Sequence, residues 1–395
     1  MKPTVKIAHI ADVHLRAAQY GSLLRGEAFY TGVCNACAAA KEHGADIIVC
    51  AGDLLDSNNP GPRVVVDYVR GLHEELERLD IPMLVTVGNH DNCNPSWLTP
   101  YLWDGTEPIR PGINFVTGDG GPFSNGLYYI DLGRKDTFVF PLQVFDFMGS
   151  YAMRTAIAEA PDSTPLAVWH GEIREFCGYP KEEAICFDDF PIGKFKLLLM
   201  GDQHIHEMRV REEDNFTIAY PGSTEMCSEA EEERKQLFIH TITHDSATED
   251  VIFNPEDTIS VRFNTQPVLR CTVQTEEELQ ETEQALKKQS EVLAYVRYNR
   301  YIPDVVSRLH AAVSKSSCLR LTPMMANRFK VEAMSRETVI KGPAEFFDAN
   351  QEKFIQDAET RHRVSGLCKQ LLTLGEDHKE RVNAFCSDYL GIITT

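Results

Sequence analysis

The amino-acid sequence predicts an α/β protein: an αββα two-sheet sandwich, then a small second α/β unit, then a C-terminal helical segment. Three observations predict it. Short β-branched runs alternate with helix-period patterns over the first two hundred residues, strand-rich stretches return over 126–147 and 216–253, and a β-α-β-α-β pattern followed by a purely helical one closes the chain.

Taken in order, residues 5–10, 46–50, 83–87, 166–169 and 196–200 read as buried strands, because each is apolar on both faces or nearly so. Residues 27–43 and 63–79 read as helices; Val65, Val69, Leu72, Leu76 and Leu79 recur at three- and four-residue spacing, with Pro62 near the start. Helices placed between strands imply a sheet that is at least partly parallel. The two strand-rich stretches supply a second sheet packed on the first. Pro255 and the polar residues around it mark a boundary, so the first domain spans 1–260.

Beyond it, VLRCTV reads as a strand, Thr275 and Glu278 form a capping box that opens a helix, AYVRYNRYI is a second strand, VVSRLHAAV a second helix and CLRLTPM a third strand. This second domain spans 261–333. From Ser335 onward the pattern is helical, with Phe347, Phe354, Leu367, Leu371, Leu374, Val382, Phe385 and Tyr389 on apolar stripes, which makes 334–395 a third segment.

A chain of 395 residues exceeds one compact core. Hydrophobic residues at 43% and charged residues at 25% exclude wholesale disorder, and no apolar run approaches the ~20 residues of a spanning helix. The opening MKPTVKIAHIADVHL has no apolar signal-peptide core, so a cytoplasmic protein without membrane attachment is expected. Eleven cysteines in no framework fit buried thiols in a reducing compartment; Cys34 and Cys37 form a C-x-x-C without a second pair and read as part of an alanine-rich helix.

The net charge of -20 argues against a nucleic-acid partner, but only as an average. Between 295 and 330, Arg297, Arg300, Arg308, Lys315, Arg320, Arg328 and Lys330 stand against Asp304 alone, with Tyr295, Tyr298 and Tyr301 interleaved. Cations neutralise phosphates and aromatic rings stack on bases, so this segment is expected to lie over DNA. The run EAEEER over 229–234 reads as a solvated loop or helix start.

The chemistry gathers at strand ends. Strand one is followed by Asp12-Val13-His14, strand two by Gly52-Asp53, strand three by Gly88-Asn89-His90-Asp91, the fourth by His170-Gly171 and the fifth by Gly201-Asp202-Gln203-His204-Ile205-His206. Ligands of open α/β sheets collect at the carboxyl ends of strands, so the five tips can converge on one crevice. Each cluster alone has a structural reading; the five in succession point to metal ligands. Imidazole and carboxylate without thiolate suit manganese, iron or zinc. The expected ligands of two divalent cations are Asp12, His14, Asp53, Asn89, His170, His204 and His206, with Asp53 as the bridge. Such a pair readies a shared water for in-line attack on phosphorus. His90 is then expected to act as general acid or as a cation on the developing charge, and Asp91 to orient it.

The motifs D-x-H, G-D-x-x-D, G-N-H-D, H-G and G-D-x-H-x-H resemble those of the calcineurin-like metallophosphoesterase superfamily over about residues 5–240. Within it, Gly52-Asp53-Leu54-Leu55-Asp56 and Tyr220-Pro221-Gly222-Ser223-Thr224 resemble the SbcD-type, meiotic-recombination-eleven-type nuclease subunits, bacteriophage versions included. The resemblance implies a metallophosphoesterase sandwich and a manganese pair, one ion held by Asp12, His14, Asp53 and His206 and the other by Asp53, Asn89, His170 and His204. It also implies a DNA exonuclease and endonuclease that processes DNA ends, a homodimer, and an SMC-like SbcC-type ATPase partner docked by the C-terminal helices; the basic segment separately leads to expected DNA contacts from Arg297, Arg300, Arg308, Lys315 and Arg320. The chain departs from the Gly-His-x-His of many relatives, because Asp202 and Gln203 separate Gly201 from His204. A phosphatase or cyclic-nucleotide phosphodiesterase on a non-DNA substrate, and a binding scaffold, are the competing readings.

Overall fold

The computed structural model describes residues 3–57, 63–91, 96–116, 126–162, 164–178, 183–248 and 250–324; the helical segment expected over 334–395, with Arg328 and Lys330, lies outside them. In chain order the first elements are β1 (Thr4–Ile10), α1 (Leu23–Glu42), β2 (Ile47–Cys50), α2 (Arg63–Leu79), β3 (Pro82–Val85), β4 (Leu102–Trp103) and β5 (Gly112–Val116). There follow β6 (Gly126–Ile130), β7 (Phe140–Val144), α3 (Ser150–Glu159), β8 (Leu166–His170), β9 (Leu197–Gly201), β10 (Glu207–Arg211) and β11 (Phe216–Tyr220). The remainder is β12 (Gln236–Asp245), β13 (Asp250–Phe253), β14 (Ile259–Arg262), β15 (Val268–Val273), α4 (Glu276–Lys288), β16 (Leu293–Tyr298), α5 (Val305–Ala312) and β17 (Cys318–Pro323).

Among the described residues the protein is mixed α/β with three sheets. The first runs β13-β12-β1-β2-β3-β5-β4, with β14 also paired to β12; the second runs β10-β11-β9-β8-β7-β6; the third is β15-β16-β17. Strands β1, β2, β3 and β5 are mutually parallel, as are β11, β9, β8 and β7, so their carboxyl ends share one edge of each sheet.

The unbroken apolar strands are explained by burial on both faces. On one face of the first sheet Ala8, Ile10, Ile48, Met83 and Val85 pack with Val33 and Ala36 of α1 and Val69, Leu72 and Leu76 of α2. On the other face Val5, Ile7, Ile47, Val49 and Leu84 meet Ile130, Leu142, Leu166, Val168, Leu197 and Leu199 of the second sheet. The far face of that sheet receives Met153 and Ile157 of α3 with Phe190 and Phe195. Alternate residues of a strand point to opposite faces, so one strand serves two cores. Each buried Val, Leu, Ile, Phe or Met side chain contributes about 1.5–3 kcal/mol, and Leu72→Ala would cost about 2–5 kcal/mol through the cavity it leaves.

Local signals set the boundaries. Helix α1 stops where Gly44 takes φ +75°, with the amides of Gly44 and Ala45 bonded back to the carbonyls of Lys41 and Ala40, a Schellman end. The capping box of α4 forms: Thr275 accepts from the Glu278 amide and the Glu278 carboxylate accepts from the Thr275 amide.

The third sheet is parallel, and α4 and α5 cover one face with Leu279, Leu286, Val305 and Leu309 over Val273, Ala294 and Val296. Its other face meets the first part of the chain through Leu293, Tyr295 and Cys318 against Met226 and Tyr20. Arg25, fully buried, anchors this junction. Its guanidinium donates to Gln19, to Glu225 at 3.2 Å, to the Met226 carbonyl and to Gln266 in the connection leading to β15, while Glu225 accepts the Gln266 amide at 3.0 Å. No described helix is long and apolar enough to cross a membrane.

Candidate metal centre

Strands β1, β2, β8 and β9, and the turn after β3, deliver their tips to one place. Past the end of β1 the chain stays in register with the segment after β2: the Asp12 amide bonds the Gly52 carbonyl at 3.2 Å and the His14 amide the Asp53 carbonyl at 2.9 Å. Asp12, His14 and Asp53 all take left-handed backbone angles, φ 52°, 50° and 54°. Each such residue costs on the order of 1 kcal/mol or more, and strain of this kind gathers where chemistry needs a fixed geometry. Gly52 and Gly88 lack side chains for a steric reason: a Cβ would run into the His170 ring at the first and the Asp53 carboxylate at the second.

Six of the seven expected ligands come together. His14 Nε2 lies 3.2 Å from His204 Nε2 and 3.7 Å from Asp53 Oδ2; His204 Nε2 lies 3.6 Å from Asp12 Oδ1. On the other side His170 Nε2 lies 3.0 Å from Asn89 Oδ1 and 3.4 Å from Asp53 Oδ2. Asp53 thus stands between the two groups. Two imidazole nitrogens about 3 Å apart have the spacing of two ligands on one ion bound at about 2.0–2.1 Å.

The rings are aimed by what holds their other nitrogens. His170 Nδ1 donates to the Ala51 carbonyl at 2.8 Å, and His204 Nδ1 donates to Glu231 at 2.9 Å, which leaves each Nε2 for the centre. His90 Nδ1 donates to the Asp56 carbonyl at 2.7 Å, so its Nε2 faces Asp53 Oδ2 at 3.9 Å, and the ring is partly open to solvent.

The electrostatics call for positive charge. Burial pushes the Asp12 carboxyl up to about 6. Burial also works against the His170 imidazolium, yet the carboxylates of Asp53 and Asp12 raise it to about 9. With its anions desolvated, the centre draws protons where a cation would serve. The donor set of carboxylate, amide and imidazole oxygens and nitrogens fits a pair of divalent ions of the borderline-to-hard kind.

Two expectations need correction. His206 does not join the cluster. Gly201 ends β9, and by residue 206 the chain is entering β10, where Glu207 pairs with Tyr220. His206 therefore sits opposite Pro221, donating Nδ1 to its carbonyl at 3.0 Å, with Nε2 2.9 Å from Ser260 Oγ and the ring stacked on Phe238. Asp91 does not orient His90. Its carboxylate accepts the amides of Leu55, Leu54 and Gly88 at 2.7, 3.0 and 3.3 Å, bracing the loop that carries Asp53 against the turn that carries Asn89.

Three neighbours escaped the sequence reading. Asp202 places Oδ1 3.8 Å from His170 Nε2; the signal was its place directly after a tip glycine, as with Asp53 and Asn89. Cys227 lies with His14 and His204. Glu231 stands in the acidic run read as solvated, yet its side chain is only 7% exposed. The same run reaches the third sheet, Glu229 pairing with Arg297 and Glu233 with Arg270. Of the basic residues expected on DNA, Arg297 is thus paired and Arg308 is held by Glu276 and Glu283 of α4. Arg300 lies over the Tyr301 ring and Arg320 over Tyr20; with Lys315 they make no ion pair among the described residues. Tyr295 is buried against Tyr20, whereas Tyr301 is exposed.

A family model described as calcineurin-like phosphoesterase matches residues 5–206. The chain is similar to proteins named DNA double-strand break repair protein Mre11: 29% identical over 250 residues to that of Methanosarcina acetivorans, covering 62% of this chain and 38% of the relative. To that of Archaeoglobus fulgidus it is 39% identical over 232 residues (56% and 50%), and to that of Saccharolobus solfataricus 32% over 239 residues (59% and 58%). The chain thus spans about half the length of the curated relatives it matches.

Proposed function

The chain belongs to the calcineurin-like phosphoesterase family, and from that premise we propose that it is a two-metal DNA nuclease, an exonuclease and endonuclease subunit that processes DNA ends. The observation that carries the reading is the meeting of donor atoms from five distant strand tips on both sides of Asp53. Asp12, His14, Asp53 and His204 would hold one cation; Asp53, Asn89 and His170 would hold the other. Manganese is the ion the resemblance implies. The pair, when bound, supplies an activated water and neutralises a phosphodiester.

The remaining work falls to side chains. Asp53, between the two groups of donors, would offer its carboxylate to both ions. His90, its Nδ1 proton committed to the Asp56 carbonyl, presents Nε2 to the phosphate and gives a proton to, or stabilises, the leaving oxygen. Asp91 fixes the distance between the Asp53 and Asn89 segments. The reading takes the two large sheets with their helices as the αββα sandwich of a nuclease domain over 1–260. It takes 261–333 as a cap that meets DNA through Arg300, Lys315 and Arg320, with Arg297 and Arg308 added when their acidic partners release them. The names of the similar proteins support DNA as substrate. A cytoplasmic homodimer with an SbcC-type ATPase, docked by 334–395, completes the proposal.

The test compares wild type and His90→Ala on labelled linear duplex and on a small chromogenic phosphodiester, with manganese. Cleavage of the duplex that His90→Ala abolishes supports the nuclease. Hydrolysis of the small ester with no DNA cleaved, even with the ATPase supplied, would turn the assignment to a phosphatase or cyclic-nucleotide phosphodiesterase.

A further inference from the structure

We propose that Asp202, and not His206, completes the protein ligands of the second cation, so that this site is oxygen-rich and selective for manganese or magnesium over zinc; the inference rests on the two-cation reading above. The geometry makes the choice that spacing cannot. Residues 202 and 204 are two apart, and so are 204 and 206. His204 joins His14 and Asp12 on the first side of the centre, which leaves one of its two neighbours for the other side.

Asp202 is on that side. It follows the last residue of β9 with φ 92°, and its amide donates to both carboxylate oxygens of Asp12, at 3.0 and 3.2 Å, which pins it to the tip of β1. Its Oδ1 lies 3.8 Å from His170 Nε2, the atom that also faces Asn89 Oδ1 and Asp53 Oδ2. Gln203 Nε2 donates to its other oxygen at 3.4 Å. Asp202 and Asn89 line one cavity with Trp169 and Phe147, so the carboxylate is open to an incoming ion. His206 has both ring nitrogens committed elsewhere.

The consequence is chemical. With a histidine in this place the second ion would see two nitrogens and two oxygens from the protein; with Asp202 it sees one nitrogen, from His170, and three oxygens. Oxygen donors favour manganese and magnesium, and imidazole favours zinc. The ligand carboxylates also rise from two to three, Asp12, Asp53 and Asp202, so two divalent ions leave a surplus of +1 rather than +2 for the substrate and its nucleophile.

The experiment measures metal binding on the full chain by equilibrium dialysis with elemental analysis, and by electron paramagnetic resonance of the manganese pair, with circular dichroism to check the fold. Asp202→Ala should bind the second manganese at least about tenfold more weakly and lose the coupled signal, whereas His206→Ala keeps both ions. Asp202→His should shift the manganese-to-zinc preference toward zinc by on the order of tenfold. Asp202→Asn, which keeps the shape and the backbone bonds to Asp12, decides the matter if the alanine variant misfolds, and should also weaken the second ion. If Asp202→Ala or Asp202→Asn binds two manganese ions as the wild type does, or if His206→Ala loses one, the assignment of Asp202 is overturned while the two-cation reading stands. A wild type that binds fewer than two ions overturns both.

Discussion

Glu231 Oε1 accepts a hydrogen bond from His204 Nδ1 at 2.9 Å, which turns the Nε2 of that ring toward Asp12 and His14. The other carboxylate oxygen takes the Cys227 amide, the Ser223 hydroxyl and the Lys235 ammonium at 3.1, 2.8 and 2.7 Å. Burial works against the charge, but the bonds from His204 and Lys235 hold the carboxyl well below the usual range. Glu231→Gln keeps the shape and loses the charge, and is expected to weaken manganese affinity about 10–100-fold. Glu231→Ala adds a fold penalty of about 3–5 kcal/mol, because Lys235 is left buried without its carboxylate. Calorimetric titration with manganese and thermal melts separate the two effects; unchanged affinity in Glu231→Gln would show that the carboxylate does not aim the ring.

His90 faces the centre from a ring that is partly open to solvent, its Nε2 3.9 Å from Asp53 Oδ2, and the reading gives it a proton-transfer role instead of a ligand's. His90→Ala is therefore expected to bind two manganese ions as the wild type does while phosphodiester turnover falls about 10²–10⁴-fold, the range for loss of a positioned acid. Parallel measurements of manganese stoichiometry and kcat check this. Loss of an ion along with the activity would make His90 a ligand instead.

The pairs Glu229–Arg297 and Glu233–Arg270 lie on the surface, where such contacts contribute about 0–1 kcal/mol. Their larger effect is on charge, since they occupy two cations of the third sheet. Replacing both acids, Glu229→Gln with Glu233→Gln, should leave the melting temperature nearly unchanged and tighten duplex binding. The logarithmic salt slope should steepen by up to about 0.9 for each arginine released to a phosphate. Fluorescence anisotropy over a salt series reads both quantities. An unaltered slope would mean that this face does not meet DNA.

Most of the fold was legible because strands buried on both faces leave an unmistakable apolar run, and because α2 and the capping box of α4 follow local rules. The cluster at the strand tips was legible for the same reason: each candidate ligand stands at the end of a strand or in the turn that follows it. What failed depended on where a strand stops. Nothing in Asp202-Gln203-His204-Ile205-His206 reveals that β10 begins at Glu207, so the spacing that suits His206 suits Asp202 equally. Glu231 was hidden among surface acids, because a charge run does not show which member turns inward. Tyr295 reads as a stacking residue from its basic neighbours, and its burial against Tyr20 arises from a junction between segments 275 residues apart.

Arg25 and Glu225 form an ion pair with no exposure on either side chain, at 3.2 Å. Removing one partner strands the other in a dry site, so Arg25→Met should destabilise the protein by about 3–5 kcal/mol. The double variant Arg25→Met with Glu225→Gln should recover part of that loss. Because Gln266 bonds to both residues, limited proteolysis of the single variant should cut the stretch around 264–268 faster than in the wild type. Denaturant titration of Arg25→Met, Glu225→Gln and the double variant checks the energetics; additive losses would mean that the pair does not act as a unit.

His240 is fully buried between the two large sheets, with Nδ1 3.0 Å from the Thr258 hydroxyl and Nε2 without a hydrogen-bond partner among the described residues. Burial, with His206 adding to it, pushes its pKa down to about 3. His9 beside it shifts the same way, through burial and the facing His240. An unfolded histidine titrates near 6.5, so the unfolded chain binds more protons than the folded one below that pH. Stability from these residues is complete above about pH 6.5 and falls as the pH drops toward 3, by up to about 1.4 kcal/mol per pH unit for each ring. His240→Phe keeps a ring against Phe238 and Phe253 but cannot take a proton. Its loss of stability between pH 7 and pH 5 should be smaller than that of the wild type by about 1–2 kcal/mol, read from denaturant melts at the two pH values. Equal losses in the two proteins would place the acid sensitivity in other groups.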